Sequence, residues 1–294
     1  MDKVALLIIY NHRYDKNISV LNKLYKSKFT YIYHIIPFYD GDEGNVIPVY
    51  ESSYNFQGYI SQAYTHLKKM EFTHFLIVAD DLLLNPHINE ITMWDSIGIT
   101  KSDSFIPIEH FRVLQKQDKY WEWTINAMKY KVNKKGVEIN KILPSVYVAR
   151  KRFDKFLLPY STIPWRILFK ADIVKKIKLV LSMPWSRKLN YPLTAGYSDI
   201  FLITADVMPE FATYCGAFAA TDLFVEIAIP TALVLSADHI KFDKDLKLHY
   251  GAMWPHDGKM ERLVSTYRYN LNELLKDFPA DKLFLHPIKL SKWK

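Results

Sequence analysis

Apolar and polar positions alternate in blocks along the first hundred residues. Val4-Ala5-Leu6-Leu7-Ile8-Ile9-Tyr10 is an unbroken apolar run that gives way at once to the polar loop Asn11-His12-Arg13-Tyr14-Asp15. A run without alternation reads as a strand covered on both faces. Asn17 then stands where an N-cap would open a helix carrying Ile18, Leu21 and Leu24 on one face. Thr30 to Ile36 is a Tyr-rich, β-branched strand running into Pro37-Phe38-Tyr39-Asp40-Gly41-Asp42. Phe56, Ile60, Ala63 and Leu67 recur at helical spacing, which predicts a helix over 52–70. That helix leads into Phe75-Leu76-Ile77-Val78-Ala79, a third core strand ending in Asp80-Asp81. The order β-α-β-(β)-α-β, with a polar loop after each main strand, predicts an α/β fold. Its sheet would be parallel and doubly wound, with the polar loops gathered on one rim.

The pair Asp80-Asp81 is the first chemical signal. Ionised carboxylates are not buried without partners, so they mark the point where the strand leaves the interior. The carboxyl edge of an open α/β sheet is where ligands bind, and hard oxygen donors there suit Mg²⁺ or Mn²⁺ holding a diphosphate. A strand followed by a solvated acidic turn is the competing reading. On the same rim, Tyr10 can stack on a base. Asn11 and Arg13 can bond the base or a phosphate, and Asp40 can accept from a base N–H or a ribose hydroxyl. Gln57 and Gln62 lie on the following helix and rank below these loop residues.

In the second half, Asp222 and Glu226 interrupt the apolar run of Leu223, Phe224, Val225, Ile227, Ala228 and Ile229. Read as one helix, their i, i+4 spacing puts them on a single face, where two carboxylates are costly unless something polar faces them. Pro230 leaves the Glu226 carbonyl without its helical donor. Either carboxylate could act on a glycosidic centre, and either could instead be paired or serve as a cap. Gly196-Tyr197-Ser198-Asp199 precedes another apolar strand, 200–203, and its glycine permits close approach to a ligand. His249 is a candidate metal ligand, and His256 and Lys259 are candidates for contact with a diphosphate.

The segments His74 to Pro86 (HFLIVADDLLLNP), Ala195 to Asp199 (AGYSD), Thr221 to Leu233 (TDLFVEIAIPTAL) and Leu248 to Lys259 (LHYGAMWPHDGK) together resemble the GT-A class of nucleotide-sugar glycosyltransferases. The resemblance implies a Rossmann-like, mostly parallel sheet flanked by helices, with a basic helical insertion. It also implies a strand-end Asp-x-Asp motif that holds the metal, and a C-terminal His, here His249, completing the shell with Asp80 and Asp81. Glu226, Asp222 and Asp199 are then the catalytic candidates. Val78 stands where the first Asp of the motif would be. The organisation expected is a single catalytic domain, 1–294. It comprises a nucleotide-binding half (1–110), a basic aromatic-rich insertion (111–190) and an acceptor half (191–294). The expected activity moves a hexose, galactose or galactofuranose by resemblance, from a UDP-sugar onto a polysaccharide or lipid-linked glycan. A nucleotidyltransferase also uses carboxylate-bound Mg²⁺, but it usually brings a Gly-rich, basic phosphate loop near the first strand, and none follows Tyr10.

Charge changes this picture in one place. Between Arg112 and Lys155 there are twelve Lys or Arg against four Asp or Glu, a net of +8 that equals the formal charge of the whole chain. Tyr120, Trp121, Trp123, Tyr130, Tyr147 and Phe153 are interleaved with them. Such a surface suits an anionic membrane, a lipid-linked acceptor or nucleic acid, unless the aromatics turn inward beneath a solvated face. The tail His286 to Lys294 has the same character. A nucleic-acid-binding protein is the alternative of another class, with this segment as its footprint. One cysteine, Cys215, excludes an intrachain disulfide. The run Val4 to Tyr10 is too short for a signal peptide, and no run reaches the roughly 20 residues of a membrane span. A cytoplasmic location, with peripheral contact at the inner membrane face, is the expectation.

Overall fold

The computed structural model describes residues 2–109, 127, 130–132, 138–158, 173–182, 189–254 and 257–294. Seven strands form the central sheet: β1 (Val4–Ile9), β2 (Tyr31–Pro37), β3 (Val46–Val49), β4 (His74–Ala79), β5 (Ser104–Phe105), β6 (Ile200–Thr204) and β7 (Ile240–Lys241). Their spatial order is β7-β5-β6-β4-β1-β2-β3. The first four strands run parallel, with β1 central between β2 and β4. Along β1 the side chains alternate between two cores, Ala5, Leu7 and Ile9 entering one and Val4, Leu6 and Ile8 the other. This is the period of two that a doubly covered strand requires.

The sheet is mixed: mostly parallel, as the resemblance implies, but not wholly parallel, as the apolar pattern alone predicts. Strand β6 runs antiparallel to both β4 and β5. An apolar run specifies burial but carries no information about direction, so the reversal is invisible to hydrophobic patterning. Its consequence is functional: the N-terminal end of β6 meets the C-terminal end of β4, and the Ala79 amide donates to the Asp199 carbonyl at 2.9 Å.

Helices cover the two faces. On one side α2 (Gln57–Leu67) packs against α4 (Met208–Ala220) and, with α5 (Val225–Ser236), buries Tyr59, Ile60, Phe211, Phe218 and Leu233. On the other side α1 (Lys16–Tyr25) shares a core with the C-terminal region, where Leu21 and Tyr25 join Phe284, Ile288 and Trp293. The helix expected over 52–70 is shorter. A single turn at Ser53–Asn55, capped where the Ser52 side chain accepts from the Tyr54 amide, precedes α2.

One further expectation is corrected, and the two basic-aromatic segments are described in part. Asp222 and Glu226 do not share a helix. Asp222 has φ of 57° in a left-handed turn after α4, and Glu226 lies in the first turn of α5. The tail turns its apolar side chains inward, with Ile288, Leu290 and Trp293 buried and the Trp293 ring edge-on to Tyr269, while Lys289, Lys292 and Lys294 are exposed. Of the basic segment from Arg112 to Lys155, much lies outside the described residues, Tyr120, Trp121 and Trp123 included. In its described part α3 (Val146–Lys155) turns Phe153 into the core. Its Arg152 donates to the Leu235 and Ser236 carbonyls and, with Lys155, pairs with Asp238. Those two cations are engaged in holding α3 to the end of α5.

Because Trp293 fills the core beneath the tail, Trp293→Ala is expected to cost about 3–5 kcal/mol of unfolding free energy. Denaturant titration followed by circular dichroism measures it. A loss below about 1 kcal/mol would return the tail to the surface role that its sequence suggests.

Candidate functional site

Strand β4 is pinned along its length by β1, and the last ladder bond, from the Asp80 amide to the Ile9 carbonyl at 2.9 Å, fixes Asp80 at the rim. Asp80 is 4% exposed. Its Oδ2 accepts from Asn17 Nδ2 at 3.1 Å. Asn17 therefore does not cap α1, which opens after Asp15 without a side-chain cap. It is a buried amide that reaches across to the neighbouring strand end. Burial and the adjacent Asp81 charge push the Asp80 carboxyl up to about 7.

Asp81 is met by the tail. Its Oδ1 lies 3.0 Å from His286 Nε2, and its carbonyl accepts from the Ile288 amide at 2.6 Å. Burial raises the Asp81 carboxyl, but the hydrogen bond and charge of His286 outweigh it and hold the group below the usual carboxylate value. Burial correspondingly pulls the imidazole down, and Asp81, Asp199 and Asp80 together raise it above its ordinary value. The tail reaches this point because 284–285 pair antiparallel with 83–84, and because the Asn85 side chain donates to the Lys282 carbonyl. Gly251 lets the chains meet: a Cβ there would stand 1.8 Å from the Phe284 carbonyl oxygen.

The reversed strand completes the group. Tyr197 Oη is 2.5 Å from His286 Nδ1, and the Asp199 carboxylate lies within electrostatic reach of it. Its ring stacks on Phe284 with centroids 5.5 Å apart. Desolvation drives the Tyr197 hydroxyl strongly upward, reinforced by the charges of Asp199, Asp81 and Glu226. Desolvation likewise raises Asp199, with Asp81 adding to it and His286 opposing. Glu226 comes within this electrostatic field because α5 is fastened to 194–196. Thr231 Oγ1 accepts from the Thr194 amide and donates to the Thr194 carbonyl, and Gly196 sits against Pro107 and Pro230 with no room for a Cβ. Asp80, Asp81 and Asp199 thus gather near His286, and Glu226 lies within electrostatic reach of Tyr197.

Other candidates lie elsewhere or are already engaged. Tyr10 is fully buried with its hydroxyl 2.8 Å from His34 Nδ1, so it cannot stack on a base. Gln57 is buried and donates to the Leu223 carbonyl, and Gln62 closes on the Tyr50 backbone; both brace the fold. Arg13 pairs with Asp15 and Asp40, so these two rim candidates face each other on an exposed surface. Asn11 remains at the cleft, its Oδ1 near His12. His249 is exposed, and its backbone pairs around Asp281–Leu283; the imidazole that meets Asp81 is His286. Lys259 pairs with Asp257 at the start of α6 (Lys259–Tyr267), and His256 lies outside the described residues. Sequence reasoning passed over His286 and Tyr197. The only local sign was Tyr197 within Ala195 to Asp199.

One opening adjoins the two carboxylates, and a second lies beyond Lys289. A cleft of about 70 Å³ is lined by Asn11, His12, Asn17, Asp80, Asp81 and Lys289. A larger cavity of about 290 Å³, walled by Met253, Trp254, Tyr269 and Lys292, shares Lys289 with it. Among the described residues no group of three or more His, Cys, Asp or Glu side chains forms a complete protein cage for a metal. The donor set nevertheless fits Mg²⁺ or Mn²⁺. These ions are commonly held by one or two carboxylates, with substrate phosphates and water completing the shell. No protein-family model matches the chain, and comparison with curated proteins finds no significant match.

In metal-free protein, Asp80 binds its proton more tightly folded than unfolded. Its contribution to stability is present below about pH 4 and lost as pH rises through about 7. The stability of the parent should fall with a slope of up to about 1.4 kcal/mol per pH unit across that window. Asp80→Asn, which keeps an acceptor for Asn17, should flatten the slope and melt at or above the parent at pH 8. Identical pH profiles for the two proteins would refute the assignment of the shift to Asp80.

Proposed function

We propose that this chain is a glycosyltransferase of the GT-A type, which binds a nucleotide-sugar diphosphate at Asp80 and Asp81 and transfers its hexose to a glycan acceptor. The observation that carries the reading is the pair of adjacent carboxylates, Asp80 buried and Asp81 half-buried, at the carboxyl edge of the central parallel strands. Their negative charge exceeds what Asn17 and His286 supply. Asp80 and Asp81 would hold a divalent cation, which when bound neutralises the donor diphosphate and the leaving group. Lys289, on the wall of the same cleft, adds a positive charge toward that diphosphate. A UDP-sugar remains the expected donor class. A polysaccharide or lipid-linked glycan remains the acceptor class.

The remaining roles follow from position. Asn11 offers an amide at the cleft for the nucleotide or its phosphates. Asp199 shares a small pocket with Asn11, and Glu226 lies within electrostatic reach of Tyr197. Either can face the sugar, as base for an acceptor hydroxyl or as the carboxylate opposite an oxocarbenium-like centre. Tyr197, held by Phe284 and His286, lies within electrostatic reach of Asp199. The 290 Å³ cavity, with Trp254 and Tyr269 as apolar platforms beside Lys289 and Lys292, is where the acceptor belongs in this reading.

A thermal-shift screen of nucleotide sugars tests the donor class, since a ligand of the native state raises the melting temperature by mass action. A UDP-sugar with Mn²⁺ should raise it by several degrees, and the response should vanish in Asp81→Asn. A response to nucleoside triphosphates alone would favour nucleotidyl transfer, and salt-sensitive retention on DNA without any nucleotide response would favour nucleic-acid binding. For the chemical step, Glu226→Gln should lower kcat by about 10²-fold while leaving donor affinity and melting temperature intact. A near-normal kcat would remove Glu226 from the reaction and leave Asp199 as the remaining carboxylate beside Tyr197.

A further inference from the structure

The helix Ile173–Ser182 presents an unusual surface. Ile173, Val174, Ile177, Val180 and Leu181 are each between 55% and 81% exposed. At about 100° per residue these five positions form one continuous stripe about a third of the circumference wide. No other named helix or strand among the described residues packs closely against this helix. Five large aliphatic side chains left in water on ten residues are not the scattered apolar exposure of an ordinary surface.

The charges select the occupant. The helix carries three lysines, Lys175, Lys176 and Lys178, and no acidic residue. Position 176 falls on one border of the stripe. If the stripe packed against that of a second copy of this chain, two helices that carry lysines and no acidic residue would be brought together. An anionic lipid surface instead receives the aliphatic side chains between its acyl chains while its headgroups neutralise the lysines. Among the described residues no helix is long and apolar enough to cross a membrane, so contact by this stripe would be in the plane of the surface.

We propose that the helix Ile173–Ser182 is a peripheral membrane anchor that inserts its Ile173, Val174, Ile177, Val180 and Leu181 stripe into an anionic lipid leaflet. The attachment is reversible, because one short helix buries too little apolar surface for permanent anchoring. The proposal stands independently of the chemistry assigned to Asp80 and Asp81.

Co-sedimentation of the full chain with phosphatidylglycerol–phosphatidylcholine vesicles tests it, with pure phosphatidylcholine vesicles as the reference. The parent should pellet with the anionic vesicles and much less with the neutral ones. The double variant Ile177→Glu, Leu181→Glu should lower the partition coefficient by at least about tenfold. Its melting temperature should stay unchanged, because both side chains are exposed. Lys176→Glu with Lys178→Glu should weaken binding to the anionic vesicles specifically. Equal pelleting of parent and Ile177→Glu, Leu181→Glu overturns the proposal, as does failure of the parent to pellet. A parent that forms a dimer abolished by the same double variant, without vesicle binding, would identify the stripe as an interface between copies.

Discussion

Placing two adjacent carboxylates at the mouth of a core strand carries a desolvation cost of several kcal/mol per charge unless partners meet them. Much of the structure around the rim follows from that constraint. Asn17 is turned away from capping α1 and into the interior to reach Asp80. The last residues of the chain return across the whole sequence to reach Asp81, His286 through its side chain and Ile288 through its amide. Tyr197, just before the reversed strand β6, meets His286, so that strand is joined to the tail through a polar contact as well as to β4 through the backbone ladder. The partners are incomplete: Asp80 has one neutral amide, and its carboxyl is pushed up to about 7. A fold that keeps an under-compensated charge at a concave edge gives up stability there, and such sites are where ligand chemistry is commonly found.

The elements with unbroken apolar runs were legible from sequence. Val4–Ile9, Tyr31–Pro37 and His74–Ala79 form strands where their residues say so, and the rim position of Asp80 and Asp81 follows from the same pattern. Direction was not legible: the run Ile200–Thr204 would look identical in a parallel strand, and only long-range pairing with 74–78 reverses it. Helix continuity failed at Asp222 for a local reason. The apolar spacing from 223 to 229 is compatible with one long helix, but the backbone at 222 takes the left-handed conformation and separates α4 from α5.

Site residues divided along the same line. Asp80, Asp81 and Asp199 stand out from local context and lie within electrostatic reach of His286. Tyr10 and Gln57 were picked from the same kind of context and are part of the core. A polar or aromatic residue next to a loop looks alike whether it faces water or a buried partner such as His34 or the Leu223 carbonyl. His286 was hidden by distance, since it is 205 residues from Asp81, and a window around it shows only a basic tail. The choice of His249 in its place rested on resemblance alone.

The Asp80–Asp81 edge is the proposed place where a divalent cation meets the donor diphosphate. Crystals grown with UDP and Mn²⁺, measured for anomalous scattering at a wavelength where Mn scatters anomalously, test this directly. One strong anomalous peak is expected in contact with a carboxylate oxygen of Asp80 or Asp81 and with the diphosphate. A UDP molecule bound without such a peak, or a Mn²⁺ peak and diphosphate placed away from these two carboxylates, would contradict it.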